Sequence, residues 1–440
     1  MNRARQWALA GLLLAGACVA ALVRLNHLDE TPPTATAMAA TTTTTTTATL
    51  AKPEQIARGS YLARAGNCMG CHTAVGGRPY AGGRAIATPF GSVFSPNLTP
   101  DIQHGLGAWS ADDFWTALHN GRGRDGRLLN PAFPYSNYSL VSRADSDALW
   151  AYLRSLTAVS QANRAQEMHF PFGTQPALAV WRALYFRPGV YQNDAQRSAE
   201  WNRGAYLAQG LGHCNACHAP RNSLGATPGP QDFSGGFMPE LGWYAPSLQD
   251  PSEASVRDWP QPALRHWLKT GTGPQGSALG PMSEVILGST QHLSDADLVA
   301  LATYLQSLPQ IKSPPPQTPG RRAEPALRSL GRPLYAEHCA HCHGVNGEGV
   351  PGAYPALAGS RTVTMASPAN LLRIIQRGGF APATTGNPRP FGMPPFSGVL
   401  SDDQQAALTS YLRSAWGNQA QGDSDVRPMD VLQLKRQQVN

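Results

Sequence analysis

Six of the seven cysteines lie in three copies of one pattern, in which two cysteines are separated by two residues and followed at once by histidine. The copies span Cys68–His72, Cys214–His218 and Cys339–His343, and each reads CxxCH. At this spacing the two thiols can add across the vinyl groups of a porphyrin, and the next imidazole can bind its iron. The pattern therefore predicts three covalently attached haems of the c type.

Each residue of the motif has an expected role. The attachment thiols should be those of Cys68, Cys71, Cys214, Cys217, Cys339 and Cys342, and the proximal iron ligands should be His72, His218 and His343. Zinc ribbons also use cysteine pairs, but widely separated pairs that are each followed by histidine do not build one tetrahedral site. Disulfides within each pair would cross-link no long loop. Covalent haem is the interpretation that remains.

A second axial ligand is needed where the iron only carries electrons. Methionine is the usual choice because its neutral sulfur favours the reduced state and raises the potential. Met282 and Met393 precede the last helix predicted in the second and third repeats, so we expect them to bind iron. Met238 and Met365 are the alternatives.

The first repeat departs from this pattern at Phe133, which stands where a thioether is expected. Phenylalanine cannot bind iron. The first haem should therefore be five-coordinate, take a water, or recruit another side chain. The candidate side chains, each of which could equally be an ordinary surface or packing residue, are His104, His119, Met168 and His169.

Helices must position these residues. Arg58–Leu62 and Arg203–Leu207 share a sequence in predicted opening helices, and Gly331–Tyr335 is a looser third copy. Closing helices are predicted to begin at capping boxes and to end in related tyrosine-leucine strings. The capping boxes are Ser142 to Asp145, Ser294 to Asp297 and Ser401 to Gln404, and the strings are Tyr152–Ser155, Tyr304–Ser307 and Tyr411–Ser414. An all-α fold of three tandem domains, each wrapped around one haem, follows.

Linkers set the expected domain boundaries. The apolar run Ala177–Phe186 should form a helix packed between two domains or, alternatively, a docking surface. The expected order is a signal or membrane anchor with a Thr-rich linker over 1–50, haem domains over 51–160, 196–312 and 326–418, linkers over 161–195 and 313–325, and a tail over 419–440.

The N-terminus predicts export. Arg3 and Arg5 precede the apolar run Trp7–Val23, which is most simply an uncleaved membrane anchor, with a cleaved signal as the alternative. Lipidation at Cys18 is disfavoured because Leu14 lies one residue too far from it. The net charge of +7 is not gathered into basic runs, so nucleic-acid binding has no support, while weak attraction to anionic lipid stays open.

Specific strings beyond CxxCH carry a resemblance from Arg58 to Trp416. These strings are Thr88–Gly91, Ser95–Pro100, Gly212–Asn222 and Ser289–Leu298. On them the chain resembles the three-haem cytochrome c subunit of membrane-bound bacterial dehydrogenases that oxidise alcohols, gluconate, sorbitol and related sugars, aldehydes or N-heterocycles. The resemblance implies tandem cytochrome c-type domains after an N-terminal membrane segment. It also implies a location at the periplasmic side of the inner membrane.

The resemblance further implies partners and ligands. The family's subunit takes electrons from a periplasmic dehydrogenase catalytic subunit and passes them towards ubiquinone or a terminal oxidase. A further small subunit is an additional candidate partner. The family's axial methionines match Met282 and Met393, and the first falls on Phe133. Such a chain transfers electrons without being catalytic on its own. The alternative hypothesis is a peroxidase-like haem enzyme, or a ligand-binding protein, that uses an open position on the first haem.

Overall fold

The computed structural model describes most of the chain after the N-terminal region. It covers residues 52–274, 276–311 and 325–436, together with Trp7, Gly16, Ala17, Ala20, Ala21 and residues 23–26. The predicted tether Thr31–Thr49, Cys18, the Pro-rich stretch Ser313–Gly320 and most of the apolar run Trp7–Val23 lie outside the described residues. Within the described part, no helix combines the length and hydrophobicity needed to cross a bilayer.

Helices dominate the structure, in agreement with the predicted fold class. In chain order they are α1 (Lys52–Ala65), α2 (Cys68–Cys71), α3 (Ala111–Asn120), α4 (Tyr135–Tyr138), α5 (Arg143–Arg154), α6 (Gln175–Tyr185), α7 (Ala199–Tyr206), α8 (Asn215–His218), α9 (Gln261–Thr270), α10 (Pro281–Gly288), α11 (Asp295–Gln306), α12 (Pro325–His338), α13 (Ala340–His343), α14 (Arg361–Thr364), α15 (Ala369–Arg377), α16 (Asp402–Leu412) and α17 (Pro428–Arg436). A π-helical turn at Leu207–Leu211 continues α7, and a 3-10 turn at Thr290–His292 precedes α11.

The structure also contains short antiparallel strands, which the all-α prediction did not include. The strands are β1 (Ala85–Thr88), β2 (Gly91–Phe94), β3 (Glu167–Met168), β4 (Gly236–Met238), β5 (Trp243–Ala245), β6 (Thr272–Gly273), β7 (Gly276–Ser277), β8 (Gly379–Phe380) and β9 (Gly392–Met393). The first three form one sheet in the order β1-β2-β3, and β4-β5, β6-β7 and β8-β9 pair separately. In the first sheet Ala85 faces Phe94 and Gly91 faces Met168. Strands of two to four residues connect the helices without building a layer of their own.

Contacts group the chain into two compact units. One contains residues 1–63 and 71–192, and the other contains residues 64–70 and 193–440. The first unit holds nearly all of the first repeat together with α6. The second unit holds the second and third repeats. The domain boundaries expected from the sequence stay predictions.

Each repeat has its opening helix crossing its closing helix at a glycine. A side-chain carbon added to the glycine would lie within 2.3 Å of a carbonyl oxygen of the closing helix in every case. The three glycine and carbonyl pairs are Gly59 with Ala148, Gly204 with Ala300, and Gly331 with Ala407. Only glycine allows two helix backbones to approach this closely, so these residues set the distance between the helices.

The closing helices all begin at a serine cap, as the sequence predicts. Ser401 accepts a hydrogen bond from the Gln404 N–H while the Gln404 side chain accepts one from the Ser401 N–H, which is a complete box. Ser142 and Ser294 each accept from the N–H three residues on.

The aspartates three residues after Ser142 and Ser294 bind the opening helices. The Arg58 guanidinium donates to the Asp145 carboxylate, with an Nε to Oδ1 distance of 2.8 Å. Arg203 donates to both oxygens of Asp297 at 2.7 Å. Charge-assisted bonds of this kind are roughly twice as strong as neutral ones, so these pairs tie each closing helix to its opening helix.

The second and third repeats share an interface within the second unit. The Asn370 side chain of α15 accepts from the Tyr244 N–H at 2.9 Å and donates to its carbonyl at 2.8 Å. Arg373, on the same helix, donates from Nε to the Gly242 carbonyl at 2.8 Å. An asparagine thus pairs with the edge of β5 as another strand would. Phe237 and Tyr244 also pack against an apolar cluster that includes Leu372.

Candidate haem sites

Every CxxCH motif folds into a short helical turn. The turns are α2, α8 and α13, and in the latter two the histidine N–H donates to the carbonyl of the first cysteine. Residues three and four apart lie on one face of a helix. The two thiols and the imidazole of each motif therefore point to one side, as attachment to a single porphyrin requires.

Each of the three motif histidines has its Nδ1 atom close to a proline carbonyl. Nδ1 of His72 lies 2.8 Å from the Pro96 carbonyl, Nδ1 of His218 lies 2.7 Å from that of Pro246, and Nδ1 of His343 lies 2.9 Å from that of Pro355. A carbonyl only accepts, so Nδ1 carries the proton in each ring. Nε2 keeps its lone pair for a metal, with its orientation fixed by the carbonyl.

Electrostatics favour the metal-binding form of these rings. Burial lowers the pKa of His72, His218 and His343, and the hydrogen bond to the proline carbonyl acts in the opposite direction. The net effect is a neutral imidazole, the form that binds iron. Two thiols and one such imidazole on a single helical turn fit haem c, which as a bound group supplies one-electron chemistry.

The six motif thiols, all of them in the described part of the chain, are not joined to one another by disulfides. Burial, followed by the charge of the neighbouring cysteine, raises the pKa of Cys214 to about 12 and that of Cys339 to about 11. These two thiols are therefore held in their protonated form by the folded chain, so the fold itself does not activate them.

The structure brings Met393 to the core that contains Cys339. Met393 lies on β9 opposite Gly379 and packs against a buried cluster that also holds Tyr335 and Leu371. The alternative, Met365, is buried at the end of α14, where its carbonyl accepts a hydrogen bond from Arg413.

Met282 lies in the first turn of α10 rather than in a loop. The preceding Gly280 has a φ of 58°, and a side-chain carbon there would lie 2.6 Å from the Trp243 ring. Met238 faces the same tryptophan across the β4-β5 ladder. Trp243 thus pairs with Met238 and packs against Gly280, two residues before Met282, and the choice of Met282 stays a prediction.

Phe133 belongs to an aromatic pair. Its ring stacks on Tyr138 with centroids 5.1 Å apart and planes 25° apart. The Phe133 N–H donates to the Asn130 carbonyl, which closes the turn before Pro134. This loop therefore presents a carbon ring where the third repeat has the thioether of Met393.

The suggested substitute ligands have structural partners. His119 is buried, donates from Nδ1 to the Ser139 carbonyl at 2.9 Å, and stacks on Trp115. Met168 pairs with Gly91 in the first sheet, and the next N–H, that of His169, donates to the Phe90 carbonyl. The His104 N–H donates to the Asp101 carboxylate. None of these contacts identifies one of these residues as an iron ligand.

The proline carbonyls are the functional groups that the sequence did not reveal. They follow their histidines by 24, 28 and 12 residues. With no constant spacing there is no motif to find. The only signal is that each repeat has a proline after its CxxCH, in a chain with 38 prolines.

Comparison with known proteins agrees with this geometry. Residues 56–157 and 329–416 match the family model described as cytochrome c. The gluconate 2-dehydrogenase cytochrome c subunit of Pantoea cypripedii is 37% identical over 404 residues, which cover 87% of this chain and 89% of that protein. The cytochrome c subunit of the alcohol dehydrogenase (quinone) of Gluconobacter oxydans is 35% identical over 395 residues, covering 86% and 82%.

A further relative is much longer than this chain. A nicotinate dehydrogenase subunit of Pseudomonas putida is 42% identical over 366 residues, which cover 81% of this chain but 30% of that protein. The dehydrogenase cytochrome subunits match over most of their own lengths. The chain therefore belongs to the cytochrome c family, among the cytochrome c subunits of dehydrogenases, whose covalent haem c transfers electrons.

Proposed function

We propose that this chain is the electron-transfer subunit of a membrane-bound dehydrogenase and carries three covalent haems. It receives electrons from a periplasmic catalytic subunit and passes them towards ubiquinone or a terminal oxidase. It acts at the periplasmic side of the inner membrane, held there by its N-terminal segment, and it is not catalytic on its own.

The observation that carries the proposal is the threefold repetition of one local geometry. In each repeat a CxxCH turn supplies two thiols and a histidine, and a proline carbonyl fixes that histidine through Nδ1. Each repeat also has the glycine crossing between opening and closing helices. The second repeat lies outside the matched family regions but has the same arrangement, which supports a third haem.

The relatives support the partner. Three of them are named as cytochrome subunits of gluconate, alcohol and fructose dehydrogenases. A protein that only carries electrons needs a donor enzyme, and the charge of this chain offers no nucleic-acid site. A dehydrogenase catalytic subunit is therefore the partner that we propose, and its substrate is the one property that the relatives do not share.

Two measurements test the proposal. The intact mass of the holoprotein after acid-acetone extraction should equal the polypeptide plus three haems, and a mass with fewer haems contradicts the threefold assignment. Purification from native membranes should yield a co-eluting dehydrogenase subunit whose substrate reduces the haems. Reduction by that substrate without added mediators is the expected result, and a cytochrome that elutes alone contradicts the partnership.

Phe133 favours a second candidate function. An iron without a sixth protein ligand could bind peroxide or a small ligand, which would make the first haem a reactive centre. A ferric high-spin spectrum that shifts with cyanide or peroxide would support this function. A spectrum that is low-spin for all haems would support electron transfer alone.

A further inference from the structure

Helix α6 exposes part of its apolar surface and buries its only charged side chain. Val180 and Leu184, one turn apart, are 44% and 59% exposed, and Tyr185 beside them is also exposed. The helix contains one charged residue, Arg182, and that side chain is 3% exposed. Surface helices normally turn their apolar side inward and their charges to water. An outward apolar side therefore indicates a partner that is not water.

Arg182 fixes this orientation from within. Its Nε donates to Oδ1 of Asn26 at 3.0 Å, and its Nη1 donates to the Asn120 carbonyl. The guanidinium also lies over the Phe186 ring, 4.7 Å from the centroid, and over that of Tyr135. Rotating α6 to bury Leu184 would break all of these contacts, so the apolar side stays outward.

Asn26 connects the helix to the N-terminal apolar run. Besides accepting from Arg182, the buried Asn26 donates from Nδ2 to the Ala179 carbonyl at 3.0 Å. Its own carbonyl accepts from Nη2 of Arg122 at 3.1 Å. Asn26 follows the run Trp7–Val23 by three residues, and Trp7 and Val23 are exposed. The chain that follows the apolar run therefore meets the folded unit beside α6.

We propose that α6 lies in the interfacial layer of the membrane, with Val180, Leu184 and Tyr185 among the lipids. The proposal rests on the proposed location at the membrane and names a second contact that holds the first unit there. Lipid is the occupant because Asn26 ties α6 directly to the chain that follows the N-terminal run, the segment that we propose enters the bilayer. Leucine, valine and an aromatic ring are the side chains that this layer accepts.

Photolabelling of the full-length holoprotein tests this contact. The protein is reconstituted in vesicles of phosphatidylethanolamine and phosphatidylglycerol that contain a photoactivatable phospholipid, and labelled peptides are mapped by mass spectrometry. Label is expected on the peptides that contain α6. The double variant V180S/L184S should lower that label by about threefold or more, because its outward side no longer favours the acyl region.

A matched control uses two apolar residues of the same unit. Val75 and Ile102 are 97% and 78% exposed but lie outside α6. The V75S/I102S variant removes as much exposed apolar surface and should leave the labelling of α6 unchanged. Haem content and the visible spectrum should match the wild type in both variants, which separates loss of lipid contact from misfolding.

The possible results are distinct. Label on the N-terminal peptide with none on α6 overturns the inference and leaves the membrane location standing. Absence of label from both overturns the location as well. A chemical cross-link from α6 to a co-purified dehydrogenase subunit, without lipid label, identifies a protein occupant and overturns the inference. A mature chain that begins after Asn26 removes the junction and overturns it too.

Discussion

Phe133 is the residue at which the first proposed haem site departs from the pattern expected for the other two. The Phe133→Met variant puts a thioether into a loop whose turn is held by backbone bonds, with a side chain of similar volume. We expect one haem to become low-spin and methionine-ligated and its potential to rise, because sulfur stabilises the ferrous state. Absorption spectra and a redox titration would show this change.

The control for that variant is Phe90→Met, which changes a phenylalanine of the same unit whose ring packs against Phe172 with centroids 4.5 Å apart. Its redox waves should match those of the wild type. Methionine ligation of all three haems in the unmodified protein would mean that another residue, such as Met168, has replaced the missing ligand.

Met393 and Met365 allow a paired test in the third repeat. Met393→Ala should lower the potential of one haem and produce a high-spin or misligated form, since it removes the expected sulfur ligand. Met365→Ala creates a cavity at a buried site and should affect stability more than the spectrum. Spectra that change in Met365→Ala and not in Met393→Ala would reverse the assignment.

Glu253 should make the stability of the second unit depend on pH. Burial raises the pKa of this carboxyl above its ordinary value of 4.5, and nearby Asp250 adds to the effect, while hydrogen bonds from Ser247 and Tyr244 oppose it. The folded state then binds a proton more tightly than the unfolded chain. Protonated Glu253 therefore stabilises the folded state below the ordinary pKa of a glutamate. This contribution is lost as pH rises through the raised pKa of Glu253.

The Glu253→Gln variant should remove this loss, because an amide stays neutral and can still accept the Ser247 N–H bond. Urea midpoints measured from pH 4 to pH 8 should fall less steeply for the variant than for the wild type. Glu337→Gln alters an exposed carboxyl of the same unit and should follow the wild-type profile. A steeper fall in Glu253→Gln would contradict the raised pKa.

Sequence patterns predict some residues of the candidate haem sites better than others. The CxxCH spacing is local, so the motif alone predicts the thiols and histidines. The histidine contacts with Pro96, Pro246 and Pro355 depend on loops of different lengths, and no sequence pattern encodes them. The expected axial methionines are intermediate between the motif residues and the proline carbonyls. Their position before a helix can be predicted from sequence, but it only weakly constrains which residues the side chain faces.

At the scale of elements, the glycine crossings are where the fold is least tolerant. In Gly331→Ala the new carbon would lie 2.3 Å from the Ala407 carbonyl, so helices α12 and α16 must separate. We expect a loss of about 2 kcal/mol or more in the free energy of unfolding. Denaturant unfolding of the holoprotein would measure it.

Gly398 is the matched control in the same repeat. A side-chain carbon at Gly398 meets no atom within 4 Å. Gly398→Ala should therefore be neutral or slightly stabilising, since alanine restricts the unfolded chain more than glycine does. Equal destabilisation by both variants would show that the crossing distance is not the cause.

The helix starts show what local sequence can and cannot predict. A serine followed three residues later by Asp or Gln correctly predicted the first turn of α5, α11 and α16. It did not predict that Asp145 and Asp297 bind arginines from another helix, because that choice depends on a residue about 90 positions away. Local patterns give the element, and distant partners decide its side-chain bonds.

At the scale of the whole molecule, Asn370 should couple the second and third repeats. Asn370→Ala removes both bonds to the backbone of Tyr244 and should cost about 1–3 kcal/mol, because two backbone groups lose their partner. Hydrogen exchange should become faster at residues 242–245. Asn346→Ala, at an exposed asparagine of the same unit, should leave that exchange unchanged; faster exchange in both variants would point to a general loss of stability.

The number of repeats could be predicted from sequence, but their grouping could not. The Pro-rich stretch Ser313–Gly320 suggested a separation between the second and third repeats, and the structure places both repeats in one unit. The side-chain bonds of Asn370, Arg373 and Arg361 that link them reach backbone carbonyls, which leave no trace in sequence. Linker composition predicts where a chain bends and not whether its flanking domains touch.

The pairing of helices that are distant in sequence also has a consequence for the order in which the haems are attached. The Arg58–Asp145 and Arg203–Asp297 pairs join residues 87 and 94 positions apart, so each closing helix is made long after its CxxCH turn. Contacts that close long loops form late in folding. Under the export that we propose, which begins at the N-terminus, each pair of thiols therefore emerges before its repeat can close, and we expect the haems to be added in chain order.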